Sequence, residues 1–329
     1  MTAEAYGAPD AEALVGRFAQ LFGALAGNIE RVIRGKRENV ELAMLCLLSE
    51  GHLLLEDVPG VGKTTLARAI AASVDAQWTR IQFTPDLLPS DVTGVSIFNQ
   101  ATSKFEFHPG PIFANIVVAD EINRGSPKTQ SALLEVMEER RVSVEGRPQS
   151  VPRPFMVIAT QNPVDMDGTY PLPEAQLDRF LMKISMGYPD HTSEVAVLTG
   201  MPSGPAVDHL PKVAGREDIK NMIDFASRIH VAPPLYDYLV HIVAATRQHS
   251  DIRLGASPRA SLALLRAVRV RAAAAGRSYV VPEDIKALAP HVIGHRLMLT
   301  PEAELRGRTA GDLVAEVLGR VPVPQAAGV

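Results

Sequence analysis

A short glycine-containing turn, between an apolar run and a helix-forming segment, constrains the fold of this chain more than any other feature. Residues 56–65 read EDVPGVGKTT, with leucines at 53–55 before them and the helix-forming residues 66–72 after them. The backbone N–H groups of such a turn converge on an anion, and the N-terminus of the following helix adds its partial positive charge. The sequence therefore predicts a loop that binds nucleotide phosphates. Taken alone, these residues would also suit an ordinary connection between a strand and a helix.

The residues of this loop have separate expected roles. We expect Lys63 to reach the β- and γ-phosphates and the Thr64 hydroxyl to ligate Mg²⁺. The first glycine of the usual pattern falls at Asp57, whereas Gly60 and Gly62 are kept where backbone and phosphate approach most closely. The predicted nucleotide-binding residues of the loop are Pro59, Gly60, Val61, Gly62, Lys63, Thr64 and Thr65.

Length and composition indicate a soluble globular protein. The 329 residues suggest about two domains, and 46% hydrophobic with 21% charged residues is typical of a chain with a packed core. The net charge of −4 argues against broad coating of nucleic acid. Cys46 is the single cysteine, so an intrachain disulfide is excluded. The acidic N-terminus and the lack of a long apolar run predict a cytoplasmic protein without a membrane span.

Short apolar runs alternate with helical segments from residue 52 onward, which predicts an α/β domain with a parallel sheet covered on both faces. An amphipathic helix over 11–34 and a second helix over 37–50 precede it, and two β-hairpins are expected near 95–107 and 141–151. The predicted strands are 52–56, 79–83, 115–119, 154–160 and 180–184, and the predicted helices lie near 63–74, 127–139 and 190–199.

The remainder of the chain is predicted to be helical. A Gly/Pro-rich stretch begins at residue 200 and indicates a linker. Helices are expected over 258–275, 283–291 and 310–319. The predicted division is a core over 1–199, a linker over 200–215, a helical domain over 216–320 and a disordered tail over 321–329.

Polar residues follow two of the predicted strands, where ligands sit in open α/β sheets. Asp120 and Glu121 follow the apolar residues 116–119. We expect Asp120 to hold Mg²⁺ and Glu121 to polarise the attacking water. Asn162 follows the strand 154–160 and is placed to hydrogen-bond the γ-phosphate or the water. The alternatives are that the acidic pair caps a helix and that Asn162, which precedes proline, only begins a turn.

Five segments in order resemble the MoxR family of AAA+ ATPases, of the helix-2-insert type related to the magnesium chelatase motor subunit. Besides the phosphate loop, they are 82–91 (QFTPDLLPSD), 118–139 (beginning VADEINRGSPKTQ), 159–163 (ATQNP) and 173–180 (PEAQLDRF). The resemblance covers roughly residues 30 to 300. It implies a three-layer αβα P-loop nucleotide-binding domain with a C-terminal all-helical lid domain, and it makes Asp57 an ordinary residue for the loop.

The resemblance also implies roles for single residues. Val32 and Ile33 resemble the segment that packs on adenine, and Asn162 resembles sensor 1. Arg179 resembles the arginine finger that reaches the γ-phosphate of a neighbouring subunit, and Arg259 resembles sensor 2 at the start of a lid helix. The hairpin near 95–107 resembles the helix-2 insert. Without the resemblance, two alternatives stand: Arg179 pairing locally with Asp178 or Glu174, and Arg259 stabilising only its own helix.

The activity implied is Mg²⁺-dependent ATP hydrolysis at the subunit interfaces of a ring, most simply a hexamer, with the nucleotide between the two domains. By resemblance the ATPase remodels or matures client proteins, including insertion of metal cofactors, together with a von Willebrand factor A-domain partner. Three alternatives remain at this point: a magnesium-chelatase-like motor, a DNA-acting motor and a nucleotide-gated scaffold with little turnover. The acidic pI of about 6.2 offers no support for the DNA-acting motor.

Overall fold

The computed structural model describes residues 8–57, 62–144, 147–162, 169–188, 191–192, 195 and 207–324. Four residues of the predicted phosphate loop, Val58, Pro59, Gly60 and Val61, lie outside these ranges. Most of the predicted helix over 190–199, the first part of the predicted linker and residues 325–329 of the predicted disordered tail also lie outside them.

A five-stranded parallel sheet forms the centre of the first domain, as predicted. The strands of this domain, which include those of two separate hairpins, are β1 (Leu53–Glu56), β2 (Trp78–Gln82), β3 (Gly94–Asn99), β4 (Lys104–Pro109), β5 (Ile116–Asp120), β6 (Arg141–Val144), β7 (Arg147–Ser150), β8 (Met156–Gln161) and β9 (Met182–Ile184). The sheet order is β2-β5-β8-β1-β9, and every neighbouring pair is parallel. All five predicted sheet strands are therefore confirmed, with small shifts at their ends.

Successive residues of the central strands face opposite layers. In β5, Ile116 and Val118 join one hydrophobic cluster, whereas Val117 and Ala119 join the other. Because both faces are covered, each of these positions is apolar, and the alternation typical of a half-exposed strand is missing. This arrangement confirms the predicted three-layer αβα domain.

The helices of the first domain begin and end at identifiable residues. They are α1 (Ala8–Glu30), α2 (Arg37–Leu48), α3 (Lys63–Ser73), α4 (Pro89–Thr93), α5 (Pro127–Glu139) and α6 (Glu174–Leu177). The Ser126 hydroxyl caps α5 by accepting a bond from Thr129 N at 3.3 Å, and Pro127 occupies the first helical position. The short helix α4 was not predicted; the Asp91 carboxylate caps it by accepting from Leu88 N at 2.8 Å.

Both predicted hairpins are present. The first pairs β3 with β4 from Gly94↔Pro109 to Asn99↔Lys104. The second pairs β6 with β7 from Arg141↔Ser150 to Val144↔Arg147.

The second domain is a helical bundle with a small sheet. Its helices are α7 (Arg216–Ala226), α8 (Pro233–Thr246), α9 (Pro258–Ala274), α10 (Pro282–Ile293), α11 (Pro301–Leu305) and α12 (Ala310–Arg320). The sequence did not predict the antiparallel pair β10 (Ile252–Leu254) and β11 (Met298–Leu299). Within the described part of the predicted linker, residues Val207–His209 form a 3₁₀ turn, and the N–H groups of Val213 and Ala214 donate to Ser73 O at the end of α3.

One hydrophobic cluster extends through both domains. It contains Phe18 of α1, Leu55 of β1 and Leu264 of α9, and the rings of Phe18 and Phe225 of α7 lie 6.0 Å apart. Asn28 of α1 adds hydrogen bonds of 2.9 Å to Ser73 Oγ and to Pro211 O. Among the described residues, none of the helices has the length and apolarity needed to cross a bilayer.

Candidate active site

The N-terminus of α3 and the carboxyl ends of β5 and β8 line a cavity of about 390 Å³. Because parallel strands end at one edge of the sheet, residues distant in sequence meet there. The cavity brings together most of the predicted site residues that the structure describes, and it adds Arg80 and Thr160, which the sequence interpretation missed. Its lining residues are Gly62, Lys63, Thr64, Thr65, Arg80, Asp120, Glu121, Thr160 and Asn162.

The N-terminus of α3 faces this cavity. Gly62 precedes the helix with a left-handed φ of 89°, a backbone conformation that favours glycine. Lys63 Nζ donates to Asp57 O at 2.8 Å. Partial burial lowers the pKa of the Lys63 ammonium, and the charges of Asp57, Asp120 and Glu121 oppose that shift. The cavity therefore joins a cation and helical N–H groups, as binding of phosphate requires.

Asp57, at the position of the missing glycine, directs its carboxylate away from this cavity. Its Oδ2 atom accepts hydrogen bonds from Ser185 Oγ at 3.0 Å, from Gly187 N at 3.0 Å and from Met186 N. Asp57 is buried, so the carboxylate satisfies two backbone donors at the end of β9 that would otherwise lack partners. The Asp57 carboxylate thus joins the start of the predicted phosphate loop to the residues after β9.

Thr160 on β8 contacts both acidic residues at the carboxyl end of β5. Its hydroxyl donates to Asp120 Oδ1 at 2.5 Å and accepts from Glu121 N at 2.9 Å. Glu121 has a left-handed φ of 54°, an uncommon conformation for a residue with a side chain and one that concentrates at functional sites. The signal for Thr160 in the sequence is a polar residue near the end of an otherwise apolar strand.

Arg80 on β2 contacts Asp120 from the other side. Its Nε and Nη2 atoms both donate to Asp120 Oδ2, at 3.0 and 2.5 Å, and Nη2 also donates to Gln82 Oε1 at 2.8 Å. Gln82 Nε2 in turn donates to Glu121 Oε2 at 3.0 Å, and Arg124 Nε lies 3.3 Å from the same Glu121 oxygen. The two carboxylates are therefore joined through β2.

The predicted adenine-packing residues lie beside the phosphate loop but do not line the cavity. Ile33 is buried, and its Cδ1 atom would lie 4.0 Å from a Cβ built on Gly62. Val32 is half-buried and packs on the larger hydrophobic cluster.

Arg179 and Arg259 lie in a second cavity, of about 290 Å³, between the two domains. Arg179 Nη2 is 3.1 Å from Glu138 Oε2, and Arg259 Nη2 is 2.5 Å from Glu138 Oε1. The residue before the finger candidate, Asp178, pairs instead with Arg296. Both guanidinium groups contact Glu138 of α5. Arg179 therefore does not pair with Asp178 or Glu174, and the Arg259 side chain does more than stabilise its own helix.

The lining of the Lys63 cavity includes no residue of the helical domain among those that the structure describes. The sequence interpretation put the nucleotide between the two domains, with Arg259 beside it. In the structure, Arg259 and Arg179 lie in the cleft between the domains, on Glu138 and outside the lining of the Lys63 cavity.

Two family models match the chain in the order of its domains. The ATPase family associated with various cellular activities (AAA) matches residues 52–182, and the AAA lid domain matches residues 244–317. A crystal structure of a Cytophaga hutchinsonii protein assigned as an ATPase matches with a TM-score of 0.88 and 36% identity, over 96% of this chain and 99% of that one.

Relatives that match over most of their length identify the family within the AAA+ ATPases. The chain is 51% identical to the Bacillus subtilis protein YeaC over 304 residues, which is 92% of this chain and 95% of YeaC. It is 43% identical to Chaperone MoxR1 of Mycobacterium tuberculosis over 306 residues, or 90% and 81% of the two chains. It is 33% identical to Protein MoxR of Methylorubrum extorquens over 321 residues, or 90% and 93%. With a parallel αβα domain, a helical lid and these relatives along nearly its whole length, the chain belongs to the MoxR family of AAA+ ATPases.

Proposed function

We propose that this ATPase hydrolyses ATP with Mg²⁺ in the cavity around Lys63, and that a neighbouring subunit completes the site. The observation that carries the first part is the convergence of Lys63, Asp120 and Glu121, with Thr160 bonded to both acidic residues. A cation for the phosphates, a carboxylate for the metal and a carboxylate for the water are the parts that phosphoryl transfer needs.

The donor set of the cavity fits Mg²⁺. The ion prefers oxygen ligands and usually takes only one or two from protein, with phosphates and waters supplying the rest. Thr64 and Asp120 offer those oxygens, and among the described residues no group of three His, Cys, Asp or Glu side chains could form a cage for a metal ion. When bound, Mg²⁺ would neutralise charge that develops on the β- and γ-phosphate oxygens.

The protein's own residues supply positioning and charge. Lys63 would move from Asp57 O to the phosphates, and Glu121 would orient a water for in-line attack. Asn162 would hydrogen-bond the γ-phosphate or that water. Pro59, Gly60 and Val61 complete the proposed phosphate loop, and Val32 and Ile33 are proposed to pack on the adenine.

A ring, most simply a hexamer, is supported by where the two arginines lie. Arg179 and Arg259 are absent from the lining of the Lys63 cavity and share Glu138 in the other one. A guanidinium is well suited to bind the γ-phosphate because it is planar and always charged. We propose that Arg179, together with Arg259, acts on nucleotide held by the adjacent subunit.

The biological role that we propose is chaperone-like remodelling or maturation of client proteins. The Mycobacterium tuberculosis relative is named a chaperone, and this step rests on likeness alone. Insertion of a metal cofactor into a client and cooperation with a von Willebrand factor A-domain protein are part of the same proposal. A pull-down with such a protein, in the presence of ATP and of ADP, tests the partner.

The decisive test of the activity compares the wild type with Glu121→Gln. We expect the variant to bind ATP normally but to lose hydrolysis, because the amide cannot polarise the water. Nucleotide binding is measured with a fluorescent ATP analogue, and hydrolysis by release of phosphate. A wild type no more active than the variant at every protein concentration would instead favour a nucleotide-gated scaffold.

A further inference from the structure

Arg80 makes contacts in the Lys63 cavity that a contribution to stability does not explain. Its side chain is 50% exposed, whereas that of Asp120 is 14% exposed. An ion pair with a partner this exposed contributes little to stability. Its position is nevertheless specific, since two of its nitrogens bond one oxygen of the proposed metal-binding carboxylate.

Every oxygen of the Asp120 carboxylate has a donor. Thr160 occupies Oδ1, and Arg80 occupies Oδ2 with two N–H groups. A divalent cation at Oδ2 would lie within a few ångströms of the guanidinium, and two positive charges at that separation repel each other. Arg80 and the cation therefore compete for the same oxygen.

The contact extends from Asp120 to the acidic residue that follows it. Arg80 Nη2 donates to Gln82 Oε1 at 2.8 Å, and Gln82 Nε2 donates to Glu121 Oε2 at 3.0 Å. Because Arg80 fixes the oxygen of the Gln82 amide, the nitrogen of that amide is directed at Glu121. Movement of Arg80 would remove the bond that orients Gln82.

We propose that Arg80 is a positioning residue that holds Asp120, and Glu121 through Gln82, until a divalent cation arrives with nucleotide and takes Asp120 Oδ2. The proposal rests on the proposed function, because it requires Mg²⁺ at Asp120. Its consequence is that the Mg²⁺ requirement of the protein is set partly by a residue outside the phosphate loop and the acidic pair.

The test is a Mg²⁺ titration of nucleotide binding, which does not depend on turnover. A fluorescent ATP analogue is held at fixed concentration, and the Mg²⁺ concentration at half-maximal binding is measured for wild type, Arg80→Gln and Arg80→Lys. We expect Arg80→Gln to lower that concentration roughly two- to fivefold, the size of an exposed ion pair. Arg80→Lys keeps the charge but loses the two-pronged contact, so its midpoint should lie between the other two.

Arg306→Gln is the matched control. Arg306 Nη2 lies 2.8 Å from Asp251 Oδ1, with side chains 61% and 16% exposed, and the pair is in the helical domain. Its loss should leave the Mg²⁺ midpoint unchanged. Thermal unfolding of the variants without nucleotide establishes that each is folded.

Two results would overturn the assignment. A midpoint unchanged in Arg80→Gln would make the ion pair structural only, and a raised midpoint would make Arg80 an aid to cation binding. Nucleotide binding by the wild type that is insensitive to Mg²⁺ would overturn the proposed function as well, so the two failures are distinguishable.

Discussion

Ser257 Oγ donates a 2.7 Å hydrogen bond to Asp178 Oδ2. This bond joins the residue before Arg179 to the N-cap of α9, the helix that carries Arg259. Arg296 Nε donates to the other oxygen, Asp178 Oδ1, at 2.7 Å. One carboxylate of the nucleotide-binding domain therefore fixes two points of the helical domain, and both arginines reach Glu138 from a defined position.

Replacing Asp178 should destabilise the protein strongly. The Arg296 side chain is 3% exposed, and burial lowers the pKa of its guanidinium while Asp178 opposes that shift. Asp178→Ala would leave this buried charge without its carboxylate partner, at a cost of about 3 kcal/mol in the free energy of unfolding. Denaturant titration measures it.

Arg179→Ala is the control from the neighbouring position. Arg179 pairs with the partly exposed Glu138, so its replacement should lower the free energy of unfolding by less than about 1 kcal/mol. Equal losses in the two variants would contradict a special role for Asp178.

Asp57→Gly restores the glycine of the usual phosphate loop, but we expect it to lower both the stability of the protein and its affinity for nucleotide. The change removes the acceptor of three hydrogen bonds and leaves the N–H groups of Met186 and Gly187 without it. We expect a loss of about 3 kcal/mol in unfolding free energy, together with weaker nucleotide binding.

Ser185→Ala removes one of the three bonds to Asp57 and should cost about 1 kcal/mol. Nucleotide affinity is measured for both variants in the same titration. An Asp57→Gly protein as stable as wild type would show that the carboxylate is dispensable.

Arg179→Ala should reduce ATP hydrolysis by roughly 10³-fold while nucleotide affinity is retained, if the arginine acts on a neighbouring subunit. Specific activity of the wild type should also rise with protein concentration. Phosphate release and equilibrium binding are the two measurements.

Mixing two inactive variants separates action between subunits from action within one. Arg179→Ala keeps its own acidic pair, and Glu121→Gln keeps its arginine. Mixed rings would contain sites with both functions, so activity should reappear on mixing. Continued inactivity of a mixture that demonstrably co-assembles would place Arg179 outside the site.

Buried histidines predict loss of stability in mild acid. Burial lowers the pKa of His52 to about 3 and holds the pKa of His295 well below its usual range. In the unfolded chain, both would titrate near 6.5. The unfolded chain therefore binds more protons than the folded chain below pH 6.5. The free energy of unfolding should decrease as the pH is lowered, by about 2 kcal/mol per histidine at pH 5.

His52→Gln tests this pH dependence. His52 Nε2 donates to Met137 O at 3.0 Å, and its Nδ1 accepts from Val157 N at 2.9 Å. The amide does not titrate. The number of protons taken up on unfolding, which the slope of unfolding free energy against pH between 5 and 6.5 gives, should therefore decrease by up to one. An unchanged slope would mean that His52 charges without unfolding.

The sheet and the acidic pair could be predicted because their signals are local. Buried parallel strands are continuous apolar runs, and Asp120 and Glu121 stand directly after one of them. Arg80 and Thr160 could not be assigned in this way. Their contacts depend on β2 and β8 lying on either side of β5, an order that adjacent sequence does not reveal.

The role of Asp57 shows the same limit more sharply. The sequence shows that a glycine is missing, but the three donors to its carboxylate lie more than a hundred residues away, at 185–187. The sheet formed by β10 and β11 was missed for a related reason. Its strands have three and two residues, too few for any periodicity to appear.

The hydrophobic cluster shared by α1, the sheet and α9 bears on how the ATPase can move. The bonds of Asn28 to Ser73 and Pro211 hold α1 to α3 and to the linker, so turning the helical domain against the sheet would pull Phe225 away from Phe18. We therefore expect one chain to travel through the ATP cycle as a single stiff piece. Mechanical work would then come from changes at the interfaces between neighbouring chains, because α1 holds the two domains of each chain together.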